Sequence, residues 1–530
     1  MLRFSKLKLA ITATTLATAA VGAKIASSDD PATTLKLCTI VPTRLFRLSV
    51  TAACIAFDYE YSLRGLAEDS DERERVKHEV HTRSACRLRD LCFKNGGVYI
   101  KLGQHIGQLE YLVPIEYAKI MKDSMLNRCP TSTYDEVCQV VKKELGAPPE
   151  EIFYEFDPVP IASASLAQVH VARTHEGEKV AVKVQHTHMT DTAAADLATV
   201  DFIYTTLHRL FPSFDYRWLI DEARDTSPKE LDFLIEAKNN VKCMDNFRRL
   251  SPHIAAYVYA PRVYWTLSTS KLLTMEYIEG PQVNDLENIR KLEIRPDDIS
   301  KLVSQTFAEM IFKHGFVHCD PHVANLLVRP MPSGRSSIFG RRKPQLVLLD
   351  HGIYKELDTY TRTSYAALWK ALVLADHSAI KENCTKLGAG EDMYTFFSSI
   401  LTMKPWETVI DPAADHLAIH DQSDLHIYGP EYFPQFTELL RRLPRVILHM
   451  MKTNDCIRSV NNALLQRPSL GSFLIIGKVS SEAVIGEKWA NAKSIFSLIR
   501  VWLEEISLEA RFTLLQLALW VLEFKRSLSL

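Results

Sequence analysis

Between Val317 and Gly352 the chain reads Val-His-Cys-Asp-Pro-His-Val-Ala-Asn, then a basic insertion, then Leu-Val-Leu-Leu-Asp-His-Gly. Three side chains there carry oxygen at telling intervals: Asp320, Asn325 and Asp350. An Asp with an Asn five positions on, then an Asp-x-Gly after a hydrophobic run, is the set that phosphoryl transfer between ATP and a hydroxyl needs. The first Asp orients the attacking hydroxyl, the Asn holds one magnesium ion, and the last Asp bridges metal and phosphates. On spacing, Asp320 is the catalytic candidate, and Asn325 and Asp350 are the metal candidates. An isolated Asp-x-x-x-x-Asn would read as a solvated turn. A lysine strand upstream tips the balance toward chemistry.

That strand is Val180-Ala-Val-Lys-Val184, with Lys183 on one face and valines on the other. In a Val-Ala-Ile-Lys pattern the lysine pairs with the α- and β-phosphates and with a helix glutamate. Glu230-Leu-Asp-Phe-Leu-Ile-Glu-Ala-Lys-Asn239 supplies the helix. Glu236 is assigned to Lys183, and Glu230 and Asp232 are expected near phosphates or metal. Asp232 and Glu236, four apart on one helical face, repel unless a cation is close. An acidic solvated face is the alternative for Glu230 and Asp232.

A phosphate-covering loop should precede the lysine hairpin, yet neither Gly-x-Gly-x-x-Gly nor Gly-x-x-x-x-Gly-Lys occurs there. Pro160-Ile-Ala-Ser-Ala-Ser-Leu-Ala-Gln-Val169 stands in that place. Its small side chains allow close backbone approach to phosphate, and its hydroxyls add donors. The nucleotide is therefore expected beside Ile161, Ala162, Ser163, Ala164, Ser165 and Val169. Met275-Glu276-Tyr277 is expected to connect two lobes and to offer backbone groups to adenine. No Ala-Pro-Glu follows Asp350, so a platform for protein substrates is not visible.

The elements that must position these residues are legible in outline. Glu72 to Cys92 has helical period, stopped by Asn95-Gly96-Gly97. Tyr134 to Leu145 is helical and ends at Gly146. The pattern then turns to strand: Ala167 to Ala172, a turn at Glu176-Gly177, Val180 to Val184, and Lys271 to Tyr277. From Asp297 it is mainly helical, with Leu302, Val303, Phe307, Met310 and Ile311 on one face. Strands followed by helices predict an α+β, bilobal, protein-kinase-like fold with a cleft between lobes. The basic stretch Arg335 to Lys343 reads as an exposed hairpin or loop.

At 530 residues, two or three structural units are expected. A formal charge of −1 gives no electrostatic case for a nucleic-acid partner. The ten cysteines form no Cys-x-x-Cys pair and no zinc-spaced cluster, which fits reduced thiols. Cys319 is expected to be a small buried residue. At the start, Arg3, Lys6, Lys8 and Lys24 precede the first acid, Asp29. A basic, acid-free, Ala/Thr-rich start matches an organelle transit peptide, with a signal-anchor as the alternative. Leu45 to Phe57 contains Arg47 and reads as a packed helix. Phe512 to Phe524 is apolar nearly all round and too short to span a bilayer. It reads equally as a buried core helix or as an interfacial membrane helix.

Taken together, four motifs resemble the UbiB (aarF-domain-containing) family of atypical kinases. Lys101-Leu-Gly-Gln104 is similar to its Lys-x-Gly-Gln, and Ala162 to Ser165 to its alanine-rich loop. Glu230-Leu-Asp232 is similar to its Glu-x-Asp, and His318 to Asn325 to its His-x-Asp-Pro-His-Pro-Gly-Asn. The departures are Ser163, Ala167, Val323-Ala324, and His351 in place of the Phe of Asp-Phe-Gly.

The resemblance implies a kinase-like fold with a helical N-terminal extension lying across the active site. Lys101 and Gln104 would then approach the nucleotide. It also implies ATP and Mg2+ as cofactors, and a role in quinone or other lipid homeostasis. On this reading residues 1–30 are a mitochondrial targeting segment, and 31–155 form the extension with Lys-x-Gly-Gln. Residues 156–280 form the N-lobe, 281–500 the C-lobe and 501–530 an apolar helix. The expected protein is membrane-associated in the mitochondrion, with ATP, a membrane lipid and mitochondrial membrane proteins as partners. The expected activity is that of an atypical kinase or ATPase, with protein-kinase activity a lesser reading. A nucleotide-gated scaffold that needs no catalysis is the alternative.

Overall fold

In the computed structural model the described residues are 31–528, apart from 68–69, 108–112, 126–130, 188, 211–216, 333–341, 411–432 and 466–469. The expected targeting segment and the basic stretch from Arg335 therefore lie largely outside them. The chain divides into two compact units, 1–177 with 182–231 and 178–181 with 232–530. Each unit mixes helix and strand, as the α+β expectation required.

The first unit begins with α1 (Pro31–Leu63), α2 (Asp71–Asn95), α3 (Val98–Gly107), α4 (Ile115–Met125) and α5 (Tyr134–Leu145). The local chemistry explains their limits. Ser70 caps α2 by accepting the Arg73 N–H, and Gly96 ends it at φ +67°. Thr133 and Glu136 form a capping box on α5, which Gly146 closes in the left-handed region. Tyr99, Ile100, Met121 and Met125 form the core between α3 and α4. The helices touch so closely that a Cβ at Gly107 would lie 2.7 Å from Lys122 N.

Helix α1 corrects the expectation of a packed apolar helix at Leu45 to Phe57. Among its described side chains only Leu48 is buried, while Phe46, Val50, Phe57 and Tyr61 are exposed. Polar contacts hold it instead. Arg44 makes a bidentate pair with Asp196 (2.8 and 2.6 Å), and Asp58 pairs with Arg83 and Arg87. Its part Ile40–Leu63 is long and apolar enough to cross a membrane, by length and composition.

After the helices come β1 (Glu155–Phe156), β2 (Ala162–Ser163), β3 (Ala167–Arg173) and β4 (Lys179–Gln185). Strands β1 and β2 each pair antiparallel with β3, in registers Phe156↔Ala172 and Ala162↔Val169. Strand β4 contributes residues to both units. Helices α6 (Met189–Leu210) and α7 (Arg217–Glu230) complete the first unit.

The second unit holds α8 (Phe233–Leu250), β5 (Val258–Tyr259), β6 (Leu272–Glu276) and α9 (Pro296–Ala308). A π-helical stretch, Glu309–His314, follows and leads into β7 (Phe316–His318). Next are β8 (Leu326–Pro330), β9 (Pro344–Leu348) and β10 (Tyr354–Glu356). Strand β9 lies between β5, parallel, and β8, antiparallel, while β10 pairs with β7. The core beneath them joins Phe247, Val303, Phe307, Leu326, Leu346 and Val460.

The remaining helices are α10 (Thr359–Val373), α11 (His377–Lys386), α12 (Tyr394–Thr402), α13 (Phe433–Arg442), α14 (Arg445–Leu465), α15 (Leu470–Asn491) and α16 (Ile495–Leu528). Gly477 lets α15 press onto α10: a Cβ there would meet Val373 at 2.6 Å.

Candidate active site

The second unit assembles the loop candidates around one histidine. Strand β7 ends at His318, whose ring is buried. Its Nδ1 accepts the Asp320 N–H (3.1 Å), and its Nε2–H donates to the Asp350 carbonyl (2.5 Å). Burial lowers the His318 pKa, so the ring is neutral. Donor at Nε2 and acceptor at Nδ1 is the tautomer those two bonds require. His318 therefore fixes the segment carrying Asp320 against the segment carrying Asp350.

Asn325 joins them through register. Its carbonyl accepts the Leu349 N–H (3.0 Å), one residue before Asp350, and its Nδ2 donates to the Asp320 carbonyl (3.2 Å). The Asn325 amide oxygen is thereby left as the side chain's acceptor end. Asp350 Oδ1 accepts the Gly352 N–H (2.8 Å). Asp320 Oδ1 is buried with no hydrogen-bond partner, an acceptor made ready for a group the fold itself does not supply.

These donors fit magnesium. It is a hard cation that takes oxygen ligands, one or two carboxylates plus phosphates, rather than a cage of protein groups. Among the described residues no cluster of three or more His, Cys, Asp or Glu is arranged to hold a metal ion. Asn325 and Asp350 would hold the ion, with nucleotide phosphates completing its shell.

Helix α8 supports the Asp350 turn. Asn239 Nδ2 donates to the His351 carbonyl (3.0 Å), and a Cβ at Gly352 would come 3.1 Å from Asp350 Oδ1 and 4.0 Å from Glu236 Oε2. Buried Glu236 thus stands beside the same turn. His351 occupies the place of a Phe with polar bonds. Its Nε2–H donates to the Leu348 carbonyl (3.1 Å), and its Nδ1 accepts the Tyr354 hydroxyl (2.9 Å). Tyr354 stacks on His351 and on Phe316. Burial pushes the Tyr354 hydroxyl well above its ordinary range, so it stays a donor. Cys319 is fully buried and pushed up to about 12 by burial, as an inert core thiol should be.

The helix expected to run through Glu230 and Asp232 is interrupted. Helix α7 ends at Glu230, and Asp232 caps α8 by accepting the Leu234 N–H (3.0 Å). The short carboxylate is better used on an orphan helix donor than inside a helix, where it competes with the backbone. Asp232 and Glu236 therefore do not share one helical face. Glu230 is ion-paired in the first unit with Lys101 (2.7 Å).

That unit also places the covering loop. Gln104, one turn after Lys101 on α3, accepts the Ser165 hydroxyl at Oε1 (3.3 Å) and donates to the Met125 carbonyl (3.5 Å). Ile161 N–H donates to Val169 O (2.9 Å), and Ala164 N–H to Ala167 O (2.8 Å). The loop is a tight β-arch. Gly103 lets α3 pass Met125, whose Sδ would lie 3.1 Å from a Cβ there. Lys183 is half-buried on β4 between the buried Val182 and Val184. Lys183 and Glu236 belong to different units, so their pairing remains an expectation.

Within the second unit, the backbone N–H groups of Glu276 and Tyr277 are already engaged, by Arg262 O (2.8 Å) and Lys179 O (3.2 Å). The Glu276 carboxylate accepts the Tyr259 hydroxyl (2.6 Å), and Met275 is buried. Sequence reasoning missed Tyr354 and Asn239, and it did not give His318 its bridging role. The alternating Ile353-Tyr354-Lys355 after His351-Gly352 was the available signal for Tyr354.

Residues 124–384 match the ABC1 atypical kinase-like domain. The chain is 66% identical to an ABC1 protein of Arabidopsis thaliana over 530 residues, covering 99% of this chain and 98% of that one. It is 37% identical to AarF domain-containing protein kinase 1 of Gallus gallus over 480 residues, 90% of each chain. The solved erythromycin complex of Rv3197 from Mycobacterium tuberculosis is similar over 78% of this chain and 98% of that one, at 20% identity and a TM-score of 0.47. The fold is kinase-like, with a helical region ahead of the kinase-like domain.

Proposed function

We propose, since the chain belongs to the ABC1 (AarF) atypical kinase-like family, that it binds Mg-ATP and transfers or hydrolyses the γ-phosphate in mitochondrial lipid homeostasis, possessing a lipid or quinone-related acceptor. The observation that supports this best is His318, one neutral ring tying the Asp320 amide to the Asp350 carbonyl. A base and a metal carboxylate held by a shared buried side chain is the pre-organisation that phosphoryl transfer needs. Asp320 Oδ1, buried and unpartnered, would orient the acceptor hydroxyl or water. Asn325 and Asp350 would hold magnesium, and Lys183 would fix the α- and β-phosphates with Glu236 as its partner. Magnesium, when bound, offsets charge on the transferring phosphoryl oxygens.

Localisation at a mitochondrial membrane, with a membrane lipid and mitochondrial membrane proteins as partners, belongs to the same proposal. Its support is the basic, acid-free start and the apolar α1. The test is magnesium-dependent ATP binding and hydrolysis by the purified protein, with and without anionic vesicles, beside Asp350→Asn. Turnover that the variant loses supports the reading; equal ATP consumption by the variant refutes the metal assignment.

A second reading is a nucleotide-gated scaffold. The ion pair that fastens Lys101 to Glu230 favours it, because the family's distinctive lysine is then held by protein rather than left for substrate. Rescue of a null cell by Asp320→Asn or Asp350→Asn would decide for the scaffold.

A further inference from the structure

Helix α16 is apolar on two opposite faces, and the fold covers only one of them. Val501, Leu508 and Phe512 are buried against Val373 and Ile485. The opposite side carries Phe496, Ile499, Trp502, Leu503, Ile506 and Leu514, with Phe496 85% and Leu514 66% exposed. At about 100° per residue these six fall within an arc of about 120°. Isolated exposed apolar residues are ordinary, but a continuous stripe along a helix is an interaction surface.

The charges along the helix indicate what covers it. Glu504 is drawn inward by Lys370 (2.8 Å) and Lys488 (2.6 Å), and Glu505 accepts the Trp489 indole N–H (3.0 Å). Among the described side chains of α16, Arg500 and Arg511 are exposed at one edge of the stripe and Glu509 is exposed at the other. A helix–helix seam would be narrower and flanked by charges of both signs on both sides. A broad apolar arc bearing Trp and Phe, bordered by arginines, is what an interfacial helix presents to anionic headgroups.

We infer that the outward face of α16 docks the protein in the plane of an anionic lipid surface, with Trp502, Leu503 and Ile506 entering the headgroup–acyl boundary and Arg500 and Arg511 meeting lipid phosphates. The inference is independent of the catalytic reading, because none of these residues belongs to the candidate active site.

The test uses the full chain with vesicles of phosphatidylcholine alone or mixed with phosphatidylglycerol. Binding is read by flotation, and insertion by quenching of tryptophan emission with brominated acyl chains. Wild type should prefer the anionic vesicles, and the exposed double variant Leu503→Gln/Ile506→Gln should bind about tenfold more weakly or worse. Arg500→Gln/Arg511→Gln should lose most of the preference for anionic lipid. Part of the quenching should vanish in Trp502→Phe, which still binds. Unchanged binding by Leu503→Gln/Ile506→Gln, or unchanged quenching in Trp502→Phe, overturns the inference. Self-association that the double variant abolishes, without vesicle binding by wild type, also overturns it and assigns the face to a second copy of the chain.

Discussion

Lys101 Nζ and Glu230 Oε2 lie 2.7 Å apart, so two motifs far apart in sequence are one ion pair in the first unit. The Glu230 side chain is 6% exposed and that of Lys101 19%, and Glu230 Oε1 is buried without a hydrogen-bond partner. The carboxylate's neutralisation thus depends on this lysine. In sequence Lys101 resembled a residue held for nucleotide; in the fold it already has a protein partner.

Lys101→Met should therefore destabilise the first unit by about 2 kcal/mol, less than for a fully buried pair because the ammonium still reaches water. Glu230→Gln in the same chain should restore part of the loss. Urea melts of the two single variants and the double variant measure the coupling; strictly additive effects would contradict a pair.

Asp350→Asn keeps an acceptor for the Gly352 N–H, so the turn should hold. Magnesium-dependent turnover should fall at least about 100-fold, the scale of losing one group that stabilises developing charge. Steady-state hydrolysis set beside circular dichroism separates lost chemistry from lost fold.

Tyr354→Phe should leave the stack on His351 but strand the His351 Nδ1 acceptor in the interior, costing about 1–2 kcal/mol. The turn that carries Asp350 should loosen, raising the magnesium concentration needed for half-maximal stabilisation by ATP. Adding His351→Phe should cost less than the sum of the two single changes, since they share one bond, but more than nothing, since it also removes the donor to the Leu348 carbonyl. A magnesium titration of the melting temperature reports this without requiring turnover.

Acid should weaken the second unit through His314. Burial, helped by nearby Lys313, holds its pKa down at about 4. Its Nε2 is hydrogen-bonded to Ser251 Oγ (2.9 Å), and the ring meets Phe247 edge-on. The unfolded chain takes up this proton near pH 6.5, the folded chain only near 4. Stability should therefore fall as pH drops through that window, by about 3 kcal/mol in all. His314→Gln should flatten the slope in denaturant midpoints taken from pH 7 to 4; an undiminished slope would place the proton elsewhere.

What was legible in sequence was mostly local. The capping box at Thr133 and the glycine at 146 delimit Tyr134–Leu145 as read from the pattern. The hairpin carrying Lys183 and the strand before Tyr277 follow from alternation and turn residues. Spacing alone also brought Asp320, Asn325 and Asp350 into one cluster, because a short loop and a strand register link them. Long-range polar pairing was not legible. Nothing near Glu230 announces Lys101, and nothing near His318 says that its two nitrogens serve different segments. The break at Asp232 was hidden because Phe233, Ile235 and Glu236 continue a helical-looking pattern straight across the cap. In α1, apolar composition suggested burial, whereas the packing uses Arg44, Asp58 and Tyr59 and leaves the apolar stripe outside.

The π-helical stretch Glu309–His314 closes with the Gly315 N–H on the Met310 carbonyl (3.0 Å), a ring one residue wider than an α-turn. Strand β7 follows at once, and strand side chains alternate in parity. The wide turn takes up one surplus residue, so the parity that sets His318 against the Asp350 segment is kept. A single deletion between 309 and 314 should therefore relax the turn to ordinary α geometry and leave Val317 and His318 in their places. A stretch that contributes no ligand is thus where the approach to the Asp320 loop should tolerate the loss of one residue, a change of length that β7 itself would not accept.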